Sequence, residues 1–220
     1  SGQFNASAQT FQVDTILYNG NPNKYINLVF MGDGYQSSQL STYNNNVVSL
    51  TNYFFSISPF AEYKNYFNVF AIRVPSVQSA ANHPRTAPDC LSAASHPQLS
   101  VTTYFNSTFD YSSIHRLLVP QNSSAINSVV INNFPLYDQK LMLVNSPYYG
   151  GAGGSTATTS SSSSAYEILV HEIGHSFAGL ADEYYAGDGY AAEKPNMTQQ
   201  TNPAFVKWKN WIGVGGVGIY

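Results

Sequence analysis

The chain has 220 residues, which is enough for one domain with a substantial core. Charged residues make up 10% of it and the net charge is −3 with no basic run, so a nucleic-acid-binding surface is not expected. No apolar stretch reaches the roughly 18–20 residues of a membrane span, and one cysteine, Cys90, excludes a disulfide within the chain.

Apolar periodicity divides the chain into alternating strands and helices after a lead-in at residues 1–24. Strands are predicted at 26–31, 67–74, 115–119 and 141–145, and helices at 36–55 and 123–132. Segment 75–112, rich in Pro, Ser and Ala, is predicted as a long irregular insertion. The turn from Gly32 to Tyr35 is interpreted as a structural strand end rather than a calcium or phosphate site. Strands separated by helices predict an α/β fold with three layers.

A further helix is predicted at about 163–179. Ser164 and Glu167 have the spacing of a capping box at its start, and Gly179 suits its end. Apolar residues with helical spacing form one face: Ile168, Leu169, Ile173 and Phe177. Gly174 inside the helix costs up to ~1 kcal/mol against Ala, which predicts a close approach of a strand or ligand there.

This helix carries His171, Glu172 and His175 in the pattern HEIGH. Side chains four apart share one face of a helix, so the two imidazoles can converge on one zinc ion with bonds of about 2.0–2.1 Å. Glu172 is then placed beside a zinc-bound water, whose pKa zinc lowers towards ~7, and can take its proton as the water attacks a carbonyl. The pattern is typical of a zinc peptidase.

A catalytic zinc needs a third protein ligand and one open position. In metzincins a glycine turn after the helix brings that ligand back three residues past the glycine. Here Gly179 is followed by Asp182, one residue later than the usual spacing and with Asp in place of His. Asp182 is therefore the predicted third ligand, and Glu183 is the competing candidate.

Four stretches of the chain together resemble the immunoglobulin-A-peptidase family of bacterial zinc metallopeptidases, over roughly residues 12 to 212. They are HEIGHSFAGLADEY at 171–184, INLVFMGDGY at 26–35, YYGGAGG at 148–154, and PNMT, NP and KWKNW between 195 and 211. The resemblance implies a metzincin-like fold, with a twisted mixed sheet, a backing helix and an active-site helix. It also implies catalytic Zn²⁺, endopeptidase activity on protein or peptide substrates, and secretion or a cell-surface location.

Two features depart from that family pattern. The only methionine downstream of the predicted ligands is Met197, in a context that does not resemble the methionine turn of metzincins. The apolar, glycine-rich end at 213–220 suggests that a C-terminal piece is missing. We expect one catalytic domain that is truncated at its C-terminus, with an upper subdomain at 25–179 and a lower one at 180–220, acting as a monomer.

The glycine-rich segment 148–159 is the predicted substrate-binding edge. Glycines suit an exposed edge strand against which an extended peptide can lie by β-augmentation. The residues assigned to this role are Tyr149, Gly150, Gly151, Gly153 and Gly154. A flexible loop over the cleft is the alternative interpretation.

Several assignments stay open at this point. His83, His96 and His115 are interpreted as packed or surface residues rather than ligands. A tyrosine hydroxyl could assist the zinc, and the sequence does not choose among Tyr184, Tyr185 and Tyr190. Two other functions remain as alternative interpretations. One is a surface module that is inactive or in which the zinc is structural, its site closed by a fourth protein ligand. The other is a glycan- or host-binding domain without a metal.

Overall fold

The computed structural model describes residues 9–182 and 193–215, and its centre is a mixed β-sheet. The strands are β1 Val13–Leu17, β2 Ile26–Asp33, β3 Phe67–Ile72, β4 Ser107–Thr108, β5 Val119–Pro120, β6 Gln139–Val144, β7 Gly151–Ala152 and β8 Ala157–Ser160. The α-helices are α1 Leu40–Phe54, α2 Phe60–Tyr63, α3 Ser123–Asn133 and α4 Ala165–Ala178. Short 3₁₀ turns lie at Ser37–Gln39, Lys64–Tyr66, Tyr111–Ser113, Pro203–Phe205 and Lys209–Trp211.

Six strands form the main sheet in the order β1-β3-β2-β6-β8-β7, and β4 pairs separately with β5. The four central strands run parallel, whereas β1 and β7 are antiparallel to their neighbours at the two edges. In the central register Met31 lies opposite both Ile72 and Met142. The mixed α/β architecture predicted from the sequence is confirmed.

The core has two parts, one on each face of the sheet. One face packs against α1 and α4 through Leu28, Phe30, Val47, Leu50, Leu141, Leu169 and Ile173. The other face packs against α3 and the insertion through Val29, Met31, Phe105, Phe109, Val129, Val130 and Met142. Strand β2 is apolar without alternation because both of its faces are covered. The result is a three-layer molecule in which α4 is held against the sheet.

The insertion after β3 is tied to the sheet by Asp33, a fully buried carboxylate at the end of β2. Asp33 accepts hydrogen bonds from the backbone N–H of Phe105 at 3.0 Å and of Ser107 at 2.9 Å. The hydroxyl of Thr103 donates to it at 2.9 Å. Gly34 follows at φ +71°, and a Cβ there would collide with the Ala80 carbonyl. The Gly32–Tyr35 turn therefore organises the insertion, as a structural turn would.

Three local differences from the sequence prediction have physical reasons. Strand β1 lies inside the predicted lead-in, where its half-buried, non-periodic residues give little signal. The predicted helix at 36–55 starts as a 3₁₀ turn, and α1 begins only at Leu40. The predicted strand at 115–119 is reduced to Val119–Pro120, because Leu117 instead bridges to Gly151.

None of the helices in residues 9–182 and 193–215 has the length and apolar character needed to span a bilayer.

Candidate active site

Helix α4 begins and ends where the sequence predicts, but not through the predicted capping box. Ser164 is the N-cap residue without a side-chain capping bond. Glu167 instead lies 3.4 Å from the Tyr53 hydroxyl on α1. At the other end Gly179 takes the left-handed conformation at φ 65°, and Leu180 N–H donates to the Gly174 carbonyl at 3.0 Å. This turn sends the chain back towards the helix.

One face of α4 is anchored in the core. Ile168, Leu169 and Ile173 are buried, whereas Phe177 is 42% exposed and contacts the Phe67 ring at 6.0 Å between centroids. A Cβ added to Gly174 would meet only Leu180 Cδ1, at 3.5 Å, which is an ordinary contact. The expected close approach at Gly174 was therefore wrong.

Three predicted ligand atoms meet at the exposed side of α4. His171 Nε2 and His175 Nε2 are 3.0 Å apart, and Asp182 Oδ1 lies 3.1 Å from the first and 3.2 Å from the second. A tetrahedral zinc ion with bonds of about 2.0–2.1 Å holds its ligand atoms about 3.3 Å apart. The three atoms therefore form a nearly equilateral triangle of the size that such an ion requires.

Hydrogen bonding leaves two of these atoms, on His175 and Asp182, as electron-pair donors. His175 Nδ1 is 2.8 Å from the Leu180 carbonyl, which can only accept, so this nitrogen carries the proton and Nε2 presents its lone pair. Asp182 Oδ1 is buried and has no hydrogen-bond donor within the described residues. Two imidazole nitrogens and one carboxylate oxygen form a donor set that suits zinc. These three residues therefore fit the zinc ion that the sequence resemblance implies.

Glu172 lies beside this triangle and is 9% exposed. Its carboxylate lies within 4.8 Å of a nitrogen of each histidine. The pKa of Glu172 is raised to about 7, mainly by burial; His175 and Arg116 oppose this rise and Asp182 adds to it. A cation bound nearby would favour the ionised form of Glu172 and lower this pKa. Glu172 is therefore close enough to the two histidines to act on a water molecule or substrate bound between them.

A cleft of about 1040 Å³ opens over these residues. His171, Glu172, His175 and Asp182 line its floor, and its walls include Tyr111, Arg116, Leu117 and Tyr149. Sequence reasoning found the floor, because it lies on one helix and the turn that follows. It missed the wall contributed by residues 111–117, for which a solitary arginine beside His115 in a chain with few charges was the only signal.

The glycine-rich segment forms the edge of the sheet next to the cleft, but this edge is not open at Gly151. The Gly151 N–H donates to the Arg116 carbonyl at 3.1 Å, and its carbonyl accepts from Leu118 N–H at 3.3 Å. Gly153 and Gly154, further along the same segment, are exposed. An incoming peptide could therefore pair beyond Gly151 and not at it.

The glycines at 150, 151 and 153 are required by packing. A Cβ on Gly150 would lie 2.5 Å from the Phe109 ring, and one on Gly151 would lie 2.7 Å from the Thr158 carbonyl oxygen. A Cβ on Gly153 would lie 2.9 Å from His175 Cβ and 3.2 Å from Glu172 Oε2. Gly154 has open space around it, and Tyr149 is 56% exposed on the cleft wall.

Asn196 supports the turn that carries Asp182. Its amide donates to the Ala181 carbonyl at 2.8 Å, and its side-chain oxygen accepts from Ala181 N–H at 2.8 Å. Met197 pairs through its backbone with Lys194. Sequence reasoning did not single out Asn196 as a site residue. The remaining candidates, Glu183, Tyr184, Tyr185 and Tyr190, lie outside the described residues.

Converging electron-pair donors, a buried carboxylate and an open cleft along a sheet edge are the features of a metal-dependent hydrolase. Comparison with protein-family models matches residues 15–217 to IgA peptidase M64. The chain belongs to the IgA peptidase M64 family, a family of metallopeptidases, and the resemblance seen in the sequence is confirmed. A search of curated proteins found no match.

Proposed function

We propose that this peptidase is a secreted or cell-surface zinc endopeptidase that cleaves peptide bonds within protein substrates. The observation that carries the proposal is the triangle of His171 Nε2, His175 Nε2 and Asp182 Oδ1, with sides of 3.0–3.2 Å. A purely structural zinc site is closed by four protein ligands, whereas this triangle faces a large cleft.

When bound, zinc would supply a Lewis acid that polarises the scissile carbonyl and acidifies water. Glu172 would accept the proton from the attacking water and pass it to the leaving amine. Its position favours this role, because its carboxylate lies within 4.8 Å of a nitrogen of each histidine. The Leu180 carbonyl holds His175 in the required tautomer. Asn196 binds the backbone of Ala181 and so fixes the turn that carries Asp182.

The substrate would lie extended across the cleft and pair with the exposed backbone at 153–154. Glycines there allow a close approach of another backbone. The cleft has a volume of about 1040 Å³, which leaves room for residues on both sides of the scissile bond. For this reason we assign endopeptidase activity. Secretion rests only on the exported character of the family that the sequence resembles; detection of the protein solely inside cells would contradict it.

The direct test is cleavage of casein, an unstructured protein, by the purified chain with and without a zinc chelator. We expect internal fragments, loss of cleavage with chelator, and recovery when zinc is restored. His175→Ala is the matched variant, and it should not recover on addition of zinc. Full cleavage by protein shown to be metal-free by elemental analysis would overturn the proposal.

A further inference from the structure

A second group of metal-binding side chains lies in the insertion, away from the floor of the cleft. Cys90, His96 and His115 each offer a ligand atom within 4.8 Å of the other two. We propose that these three residues bind a divalent transition metal ion of the zinc type at a site separate from the active site. The site shares no ligand with the proposed catalytic triangle, so either proposal can fail alone.

His115 carries the strongest indication of a ligand. It is 4% exposed, and its Nδ1 lies 2.6 Å from Asp110 Oδ1. An ionised carboxylate only accepts, so Nδ1 carries the proton and the lone pair is on Nε2. That Nε2 atom is buried and has no hydrogen-bond partner within the described residues. A carboxylate that orients one nitrogen and leaves the other available is the usual outer-shell arrangement of a metal-binding histidine.

Asp110 is itself fixed for this role. Its second oxygen accepts from Thr86 N–H at 2.7 Å, and the residue is 8% exposed. The backbone N–H of His115 is held in addition by Asp89, at 2.9 Å. His115 is therefore positioned through both its ring and its backbone.

Cys90 supplies the soft ligand. Its Sγ atom is 3.4 Å from His115 Nδ1 and 3.6 Å from Asp110 Oδ1, so it lies beside the protonated nitrogen of the ring. Coordination of one ion together with Nε2 therefore requires the Cys90 side chain to rotate. As the only cysteine in the chain it has no disulfide partner within it. A thiolate together with imidazoles is a donor set that selects zinc over magnesium or calcium. Binding would release the thiol proton to solvent.

His96 completes the cluster after a rotation of its ring. Its Nδ1 accepts from Leu91 N–H at 2.7 Å, and its ring stacks on that of His115 with centroids 3.7 Å apart. Coordination of one ion by both rings requires the half-buried His96 ring to turn out of this stack. A cavity of about 180 Å³, lined by both histidines and by Asp89, provides the space and a carboxylate as a possible fourth ligand.

The site would fasten the insertion to the cleft wall. Arg116, next to His115, pairs through its carbonyl with Gly151, and Arg116 and Tyr149 line both the small cavity and the cleft. Residues 75–106 contain no helix or strand of the main sheet, so a metal link between residues 90 and 115 would order a long irregular segment.

Cobalt substitution tests the proposal directly, because only a cysteine gives a thiolate-to-cobalt charge-transfer band in the near ultraviolet. We expect the band in cobalt-loaded wild-type protein and its loss in Cys90→Ser. The matched control is the double variant His171→Ala and His175→Ala, which should keep the band. Zinc content should fall by about one ion per chain in Cys90→Ser.

Alkylation of the thiol provides a measurement on the unaltered chain. Zinc should slow the reaction of Cys90 with iodoacetamide in native wild-type protein by at least about tenfold, and His96→Asn should weaken this protection. No charge-transfer band in cobalt-loaded wild-type protein, or an alkylation rate that zinc leaves unchanged, would refute the second site even if casein cleavage proves zinc-dependent.

Discussion

Gly153→Ala should damage the active site with little change to the rest of the fold. The added Cβ would lie 2.9 Å from His175 Cβ and 3.2 Å from Glu172 Oε2, whereas ordinary contacts begin at 3.4 Å. His175 Cβ belongs to a helix anchored in the core, so it cannot move away by a simple side-chain rotation. The strand or the helix must therefore shift by about 0.5–1 Å.

That displacement predicts the size of the effect. Extra atoms in a packed site typically cost about 1–3 kcal/mol of stability. A misplacement of about 1 Å at reacting groups can reduce the rate about 100-fold. We expect kcat/KM for a fluorogenic peptide or casein to fall about 10–100-fold, while the free energy of unfolding in urea falls by about 1–3 kcal/mol.

Gly174→Ala is the matched control on the same helix. Its Cβ would make only an ordinary contact at 3.5 Å, and alanine favours a helix interior over glycine by up to about 1 kcal/mol. This variant should be as active as wild type and equally or more stable. Equal activity of Gly153→Ala and Gly174→Ala would refute the packing argument.

Three further predictions concern the metal, pH and the core. Loss of a residue that only supports a metal ligand typically weakens metal binding about 10–100-fold. Asp182→Asn should weaken zinc binding by more than this in a competitive chelator titration, and unchanged affinity would exclude Asp182 as a ligand. Burial lowers the pKa of His83 to about 4, so the folded state resists protonation of this ring. In chelator-treated protein, up to about 3 kcal/mol of the free energy of unfolding should be lost as pH falls from about 6.5 to 4. The His83→Phe variant should show a smaller loss, and an identical loss would contradict the prediction. Leu169→Ala should cost about 2–5 kcal/mol in urea unfolding, and Phe177→Ala, at an exposed position, clearly less; equal costs would contradict the assigned core face.

The elements predicted best are those with a strong apolar period. Helix α4 and strand β2 start and end within two residues of the sequence prediction. The helix must bury one continuous apolar stripe, and the strand must bury both of its faces. Strand β1 carries no such signal. It exists because β3 presents an unpaired edge to which it bonds, a contact between segments more than 50 residues apart.

The predicted ligands were accessible to sequence reasoning because they are local. His171 and His175 share one helical face, and the Gly179 turn brings Asp182 back to it. Residues 116–118 hydrogen-bond to Gly151, and Asn196 hydrogen-bonds to Ala181. Both contacts join separate segments of the chain. Such contacts have no periodic pattern, so only the structure reveals them.

The same limit applies to the histidines of the insertion. Taken singly in the sequence, His96 and His115 are best interpreted as packed or surface residues, since an isolated histidine usually is one. The structure brings both to Cys90 and pairs His115 with Asp110. An irregular loop gives no spacing rule from which this meeting could have been predicted.

The most direct test of the central claim is the activity of Glu172→Gln measured together with its zinc content. Glutamine keeps the size of the side chain but cannot accept the proton from water. We predict zinc content equal to that of wild type and a fall in kcat of about 100- to 10,000-fold. A zinc-loaded Glu172→Gln protein that cleaves casein at the wild-type rate would contradict the account.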